Sequence, residues 1–235
     1  MLALSLFLFI ACVAPLADLW FYPRLERAAA TGAAGVRARF YRIGALSSWL
    51  LTACVIAVAA ERRLPWSELR LGIPTPLRAA IGAAFAIVYS IVAFAQRRAL
   101  VADPPRLVRV MRKYATANAL LPHTRSEFGT FSFLAVTAGV CEEVVYRGFV
   151  LWFAAAWLGV WGGVVVSSLL FGFAHIYLGL KHVIRTAMAG LIFALVVLAA
   201  SSLVPAMIIH ALADLIGGDL GFRALSAAPS PGSPE

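Results

Sequence analysis

The segment Ala138-Gly139-Val140-Cys141-Glu142-Glu143-Val144-Val145-Tyr146-Arg147-Gly148-Phe149-Val150-Leu151-Trp152 holds two acids and a base within six residues of an apolar run. At the centre of a membrane span each such group costs roughly 2.5–3.5 kcal/mol on translocon scales. A chain that keeps three of them together is using them. Outward from this point the run barely breaks. From Phe128 to Gly218 the sequence is almost wholly apolar, interrupted by Gly162-Gly163, by Gly179-Leu180-Lys181-His182, and by Ser201-Ser202 with Pro205 just beyond. The reading is therefore of helices lying in lipid.

Composition agrees. Hydrophobic residues make up 62% of the 235 and charged residues 13%, against about 25% charged in soluble domains. The chain reads as an all-α, polytopic transmembrane bundle of about seven spans, with six to eight as the bounds. The net charge of +9 does not indicate nucleic acid, because the bases form no motif or amphipathic face. They fall in the connections between apolar runs, where cytoplasmic Lys and Arg are expected. Cys12, Cys54 and Cys141 all sit in apolar runs, which argues against a disulfide framework.

Spans are expected at about 1–20, 43–60, 77–95, 128–158, 163–178, 183–200 and 203–217. The first of these has no basic leader and reads as a retained anchor. Connection 21–42 carries five arginines, and 96–127 carries seven Lys and Arg with a short amphipathic surface helix around Leu107, Val108, Val110 and Met111. Residues 64–76 hold Pro65, Pro74 and Pro76 and read as a loop. In domain terms, 1–127 is three N-terminal spans with basic loops, 128–218 a catalytic core, and 219–235 a flexible tail. Counting bases puts the N-terminus outside and the C-terminus in the cytoplasm.

On a helix Glu143 and Arg147 share a face and can pair, while Glu142 points about 100° away and stays free of that pair. His210 and Asp214 repeat the four-residue spacing, as do Phe171 and His175. Straight helices would place Glu142, His175 and His210 inside the hydrocarbon, where three segments could converge on one polar cluster. A carboxylate with two imidazoles either activates water directly or holds a divalent metal, such as zinc, that does so. His123 reads as solvated and His182 as interfacial. Tyr146, one turn after Glu142, is open between donating to it and packing.

Taken together, Glu142-Glu143-x-x-x-Arg147, Phe171-x-x-x-His175 and His210-x-x-x-Asp214, in this order on successive apolar segments, resemble the CPBP intramembrane proteases. That group includes the type II CAAX prenyl endopeptidases and the bacterial Abi-type proteins. The resemblance covers about residues 128–218. It implies Glu142 as the base that takes a proton from the attacking water. His175 would position that water or bind a metal. His210 would stabilise the oxyanion or ligate metal, and Asp214 stands where the family has Asn or Asp. Glu143 and Arg147 would be the supporting pair, and a metal, if bound, would be held by Glu142, His175 and His210. The expected partner is a membrane-associated protein or peptide in the lipid bilayer, and the expected location a bacterial inner membrane.

Other intramembrane chemistries fit less well. There is no His-Glu-x-x-His zinc motif and no Gly-x-Ser-Gly tetrapeptide. The competing reading is a non-hydrolytic protein, either a proton-coupled transporter or an immunity or scaffold protein. A transporter would show broken helices repeated across two halves, whereas the intramembrane polar residues noted here cluster in the second half. Substrate identity is not written in the sequence.

Overall fold

In the computed structural model the described residues, 1–31 and 35–227, form helices joined by short connections, with no strand among them. We number the helices α1 (Leu2–Ala30), α2 (Val36–Glu61), α3 (Pro76–Val101), the short α4 (Pro104–Met111), then two limbs of one long run, then α7 (Leu180–Ala200) and α8 (Val204–Ala227). The long run, Arg125–Phe173, is 49 residues of uninterrupted apolar helix by length. Its backbone breaks at Gly159 (φ 71, ψ 173), a left-handed conformation that favours glycine. The limbs are α5 (125–158) and α6 (160–173).

α6 folds back along α5. A Cβ at Gly163 would sit 2.7 Å from the carbonyl oxygen of Leu151, twelve positions away and far out of reach in a straight helix. Ser167 Oγ, fully buried, donates at 2.8 Å to the carbonyl of Tyr146. Among the described residues six helices are long and apolar enough to cross a membrane, and the Gly159 break divides one of them into two limbs. The spans expected at about 128–158 and 163–178 leave the break between them, and Gly159, at the start of that interval, makes it. Periodicity could not separate Gly159 from Gly162 and Gly163; Gly159 carries the positive φ, and Gly163 serves the close packing of the two limbs.

Helix starts follow local chemistry. Thr124 caps α5 by accepting from Glu127 N, and Glu127 reaches back to accept from His123 N at 2.8 Å. Asp103 caps α4, accepting from Arg106 N ahead of Pro104 and Pro105. α4 forms as its amphipathic pattern suggested and turns its apolar side toward the bundle. Leu107 is buried against Leu220 and Ala224 of α8. Connection 21–42 is likewise mostly helical: α1 runs to Ala30 and α2 begins at Val36, leaving the arginines on helix ends. The tail expected from 219 begins as helix to Ala227, and the rest of it, 228–235, lies outside the described residues.

The bundle has two ends. At one, Tyr22, Leu25, Leu120 and Leu178 cluster, Arg37 donates to the Ala119 carbonyl, and Arg97 pairs with Asp219 at 2.9 Å. At the other, Leu203 N bonds the Arg70 carbonyl and Arg78 bonds the carbonyls of Leu198 and Ala199. Leu50, Ile91, Ile192 and Trp161 are among the large apolar side chains left outward, as lipid contact requires.

Candidate active site

Glu142 and Glu143 lie near the middle of α5, about 25 Å of helix from Arg125 at ~1.5 Å per residue. Just after them the helix widens into a π-turn over Val144–Val150, a distortion that recurs at functional sites. Glu143 still reaches Arg147: Nη1 donates to Oε1 at 3.0 Å, and neither side chain has any exposure. The guanidinium lies over the Phe171 ring, 4.0 Å from its centroid, and near Phe193. Gly190 of α7 has no side chain here, since a Cβ would come within 2.9 Å of Arg147 Nη2.

Glu143 does more than neutralise Arg147. His210 Nδ1, from α8, donates to the same Oε1 at 2.9 Å. This bond fixes the tautomer and the plane of the ring. The ring is also held between aromatic faces, stacked on Phe193 at 5.1 Å and edge-on to Phe171 at 5.7 Å. The close approach that permits the contact is at Gly139, one turn before Glu143. A Cβ there would lie 2.7 Å from Ala211 N, so α5 and α8 touch backbone to backbone beside His210.

With Nδ1 occupied, Nε2 faces the other two acids: Glu142 Oε2 at 3.8 Å and Asp214 Oδ2 at 3.7 Å. These separations are too long for direct hydrogen bonds and short enough for one water to touch all three groups. Glu142 and Asp214 are 28% and 42% exposed, unlike the Glu143–Arg147 pair. A dry pair thus stands behind a wetter working edge.

His175, expected within a span at about 163–178, lies just past the helical end of that segment. α6 ends at Phe173, and His175 lies in the turn before the 3-10 segment Ile176–Leu178, with Gly179 at φ 90 closing it. Its Nδ1 donates to the Phe171 carbonyl at 2.9 Å, leaving Nε2 as the acceptor. His210 and Asp214 are within electrostatic reach, but no hydrogen bond joins them to it. Among the described residues no three His, Cys, Asp or Glu side chains are arranged to hold a metal ion. Glu142, His175 and His210 are therefore not gathered as ligands here, and no step below passes through a metal.

Sequence reasoning missed one acid. Asp18 lies on α1 one turn before Tyr22, whose ring packs at 5.0 Å on Tyr177, and Tyr177 stacks on His175. The rule that singled out Glu142, an ionisable group inside an apolar span, applies equally to Asp18 and would have found it. The Glu143–His210 bond had no local signal, since it spans 67 positions.

A helical membrane protein with an acid–imidazole cluster buried between its spans defines a class, that of polytopic proteins with intramembrane chemistry. The class narrows on comparison: residues 124–216 match the family described as Type II CAAX prenyl endopeptidase Rce1-like. That match, over the stretch that holds Glu142, His175 and His210, supports the resemblance to the CPBP family of intramembrane CAAX-type proteases. No curated protein matches it, and no solved structure does.

Proposed function

We propose that this chain is an intramembrane endopeptidase that hydrolyses a peptide bond of a membrane-associated protein or peptide, using water activated by Glu142. The observation that carries the reading is the fixed His210 ring, whose Nδ1–H is held by Glu143 so that Nε2 meets Glu142 and Asp214 at 3.7–3.8 Å. A water in that space gives its proton to Glu142 as its oxygen adds to the scissile carbonyl carbon. Protonated His210 donates from Nε2 to the carbonyl oxygen as negative charge develops there, and Asp214 holds the opposite side of the ring's edge. Glu142 then returns the proton to the departing amine, which leaves as the carbon–nitrogen bond breaks. His175, with Nε2 free, orients the incoming water. Glu143 and Arg147 act through His210 and are positioning residues.

Replacing Glu142 by Gln tests the base. C-terminal peptide mapping of the membrane proteome should show the same unprocessed substrates in that variant as in a deletion strain. Processing that continues unchanged in a folded Glu142→Gln protein removes the mechanism.

The same reading places the protein in a bacterial inner membrane, N-terminus outside and C-terminus cytoplasmic. Phe7 stacks on Phe153 at the end that holds Arg70 and Arg78, and α8 finishes at the opposite, more basic end beside Arg97 and α4. An odd number of crossings with the basic end inward follows the charge bias. Thiol labelling of Ser5→Cys from outside sealed vesicles, and of Ser226→Cys only after permeabilisation, is expected; the reverse pattern inverts the topology.

A further inference from the structure

The helix outside the matched stretch carries a carboxylate that the mechanism above leaves unused. α1 meets the bundle in two places. Near its start Ala3 and Ile10 join the main core and Phe7 stacks on Phe153 at 4.8 Å. Near its end Tyr22 and Leu25 pack on Leu178, and the Tyr22 and Tyr177 rings are 5.0 Å apart. Between these contacts only Pro15 is buried. Asp18 sits one turn before Tyr22, so it faces the bundle, yet it is exposed. A gap therefore lies over Asp18, and it borders the site, because Tyr177, on which Tyr22 packs, stacks on the His175 ring at 6.1 Å.

No hydrogen bond or ion pair engages Asp18 among the described residues. The two arginines that follow it on α1 are occupied elsewhere. Arg24 stacks over Trp20 and donates to the Trp20 carbonyl at 2.6 Å, and Arg27 donates to the Pro23 carbonyl at 3.1 Å. A second group points into the same space. Tyr146 is 6% exposed, its ring packs edge-on against Phe171, and its hydroxyl bonds to nothing among the described residues. It lies within reach of the charges of both Asp18 and Glu142. The hydroxyl is not one of the buried polar atoms left without a partner, so the polar end of this otherwise buried ring is open to a group from outside the chain.

We propose that the gap between α1 and the core is where a substrate peptide enters, that Asp18 binds a Lys or Arg side chain beside the scissile bond, and that Tyr146 donates to the peptide's backbone carbonyl. This rests on the endopeptidase reading above. An unpaired carboxylate in a span is costly unless it meets water or a cation, and a basic substrate side chain provides the cation while leaving Glu142 free. Charge-assisted bonds of this kind are about twice as strong as neutral ones.

The test uses the full-length protein in proteoliposomes with acyl-anchored decapeptides that carry Arg, Gln or Glu at each position in turn, with cleavage mapped by mass spectrometry. Arg should be preferred over Gln at one position by roughly tenfold in kcat/KM, the effect of one charge-assisted contact. Asp18→Asn should bring that ratio near one, and Asp18→Arg should turn the preference to Glu. Tyr146→Phe should slow Arg and Gln peptides alike. An Arg preference that survives in both Asp18 variants, or that never exists in the unaltered protein while Glu142-dependent cleavage does, overturns the assignment. Cleavage that Glu142→Gln leaves intact, or no cleavage of any peptide, instead sinks the endopeptidase reading beneath it.

Discussion

Replacing Glu143 by Gln should unfold the protein more than any neutral-for-acid change elsewhere in the chain. One oxygen, Oε1, receives Arg147 Nη1 at 3.0 Å and His210 Nδ1 at 2.9 Å, and the Glu143 and Arg147 side chains have no exposure. At an effective dielectric of about 20 the Arg147 attraction alone is roughly 5–6 kcal/mol before the cost of removing both charges from water. Gln keeps an acceptor oxygen but leaves Arg147 as an unbalanced buried cation, and losses of about 3–5 kcal/mol are usual when one member of such a pair is removed. For a chain of this size that corresponds to a fall of roughly 6–20 °C in Tm, read by tryptophan fluorescence in detergent. The double variant Glu143→Met with Arg147→Met removes both charges together and should melt above the single one. A Glu143→Gln protein that melts within about 2 °C of the unaltered chain would show that the pair is not dry, and the reasoning fails.

Gly139→Val forces a side chain into the 2.7 Å approach to Ala211; the helices must part, so processing should fall at least tenfold, and unchanged processing would show that the contact is dispensable. Asp214→Asn keeps donors and an acceptor beside Nε2 and should retain activity within about tenfold, whereas Asp214→Leu should lose roughly a hundredfold or more, as removal of a polar site group does. Treatment with a chelator should leave processing intact; loss that zinc restores would move Glu142, His175 and His210 to ligand roles. His123, at the basic end, is held below its ordinary value of 6.5 by burial and by Arg37. The folded protein therefore binds that proton less readily than the unfolded chain, and stability should fall as pH drops below about 6.5. His123→Gln should flatten the pH dependence of Tm in that window.

What the sequence displayed and what it hid divide along the range of the interactions. Span positions, the Glu143–Arg147 pair and the His210–Asp214 spacing are all set by residues within four positions of one another, and period-3.6 reasoning reaches that far. The α5–α6 break was visible as a glycine-rich stretch, but choosing Gly159 over Gly162 or Gly163 required knowing which backbone turns and which packs. The end of α6 at Phe173, two residues before His175, was not legible, because a helix end inside an apolar run leaves no polar mark. α4 was recognised by its pattern, but nothing in 104–111 reveals that Leu220 and Ala224 cover Leu107. The shared role of Glu143 was invisible for the same reason: His210 arrives from another helix.

In the mechanism proposed above, burial decides which of the two adjacent glutamates does which task. About 100° of helix separates them, enough to put one in the core and the other at the cavity. A carboxylate that must take a proton from water needs contact with water, and Glu142 is 28% exposed where Glu143 has no exposure. A carboxylate that must hold an imidazole still is better kept dry, where its bonds to Arg147 and His210 are strengthened by the low dielectric. Exchanging the tasks would fail on both counts: Glu143 could not reach solvent, and Glu142 would lose the buried guanidinium that balances its charge. Arg147 is the only permanent cation described in this cluster, and Glu143 uses it. Glu142 and Asp214 must then draw their balance from water, from the His210 proton and from what enters the gap. An acid site built this way stays wet on one side and, on the substrate-entry proposal above, selects for a positive visitor.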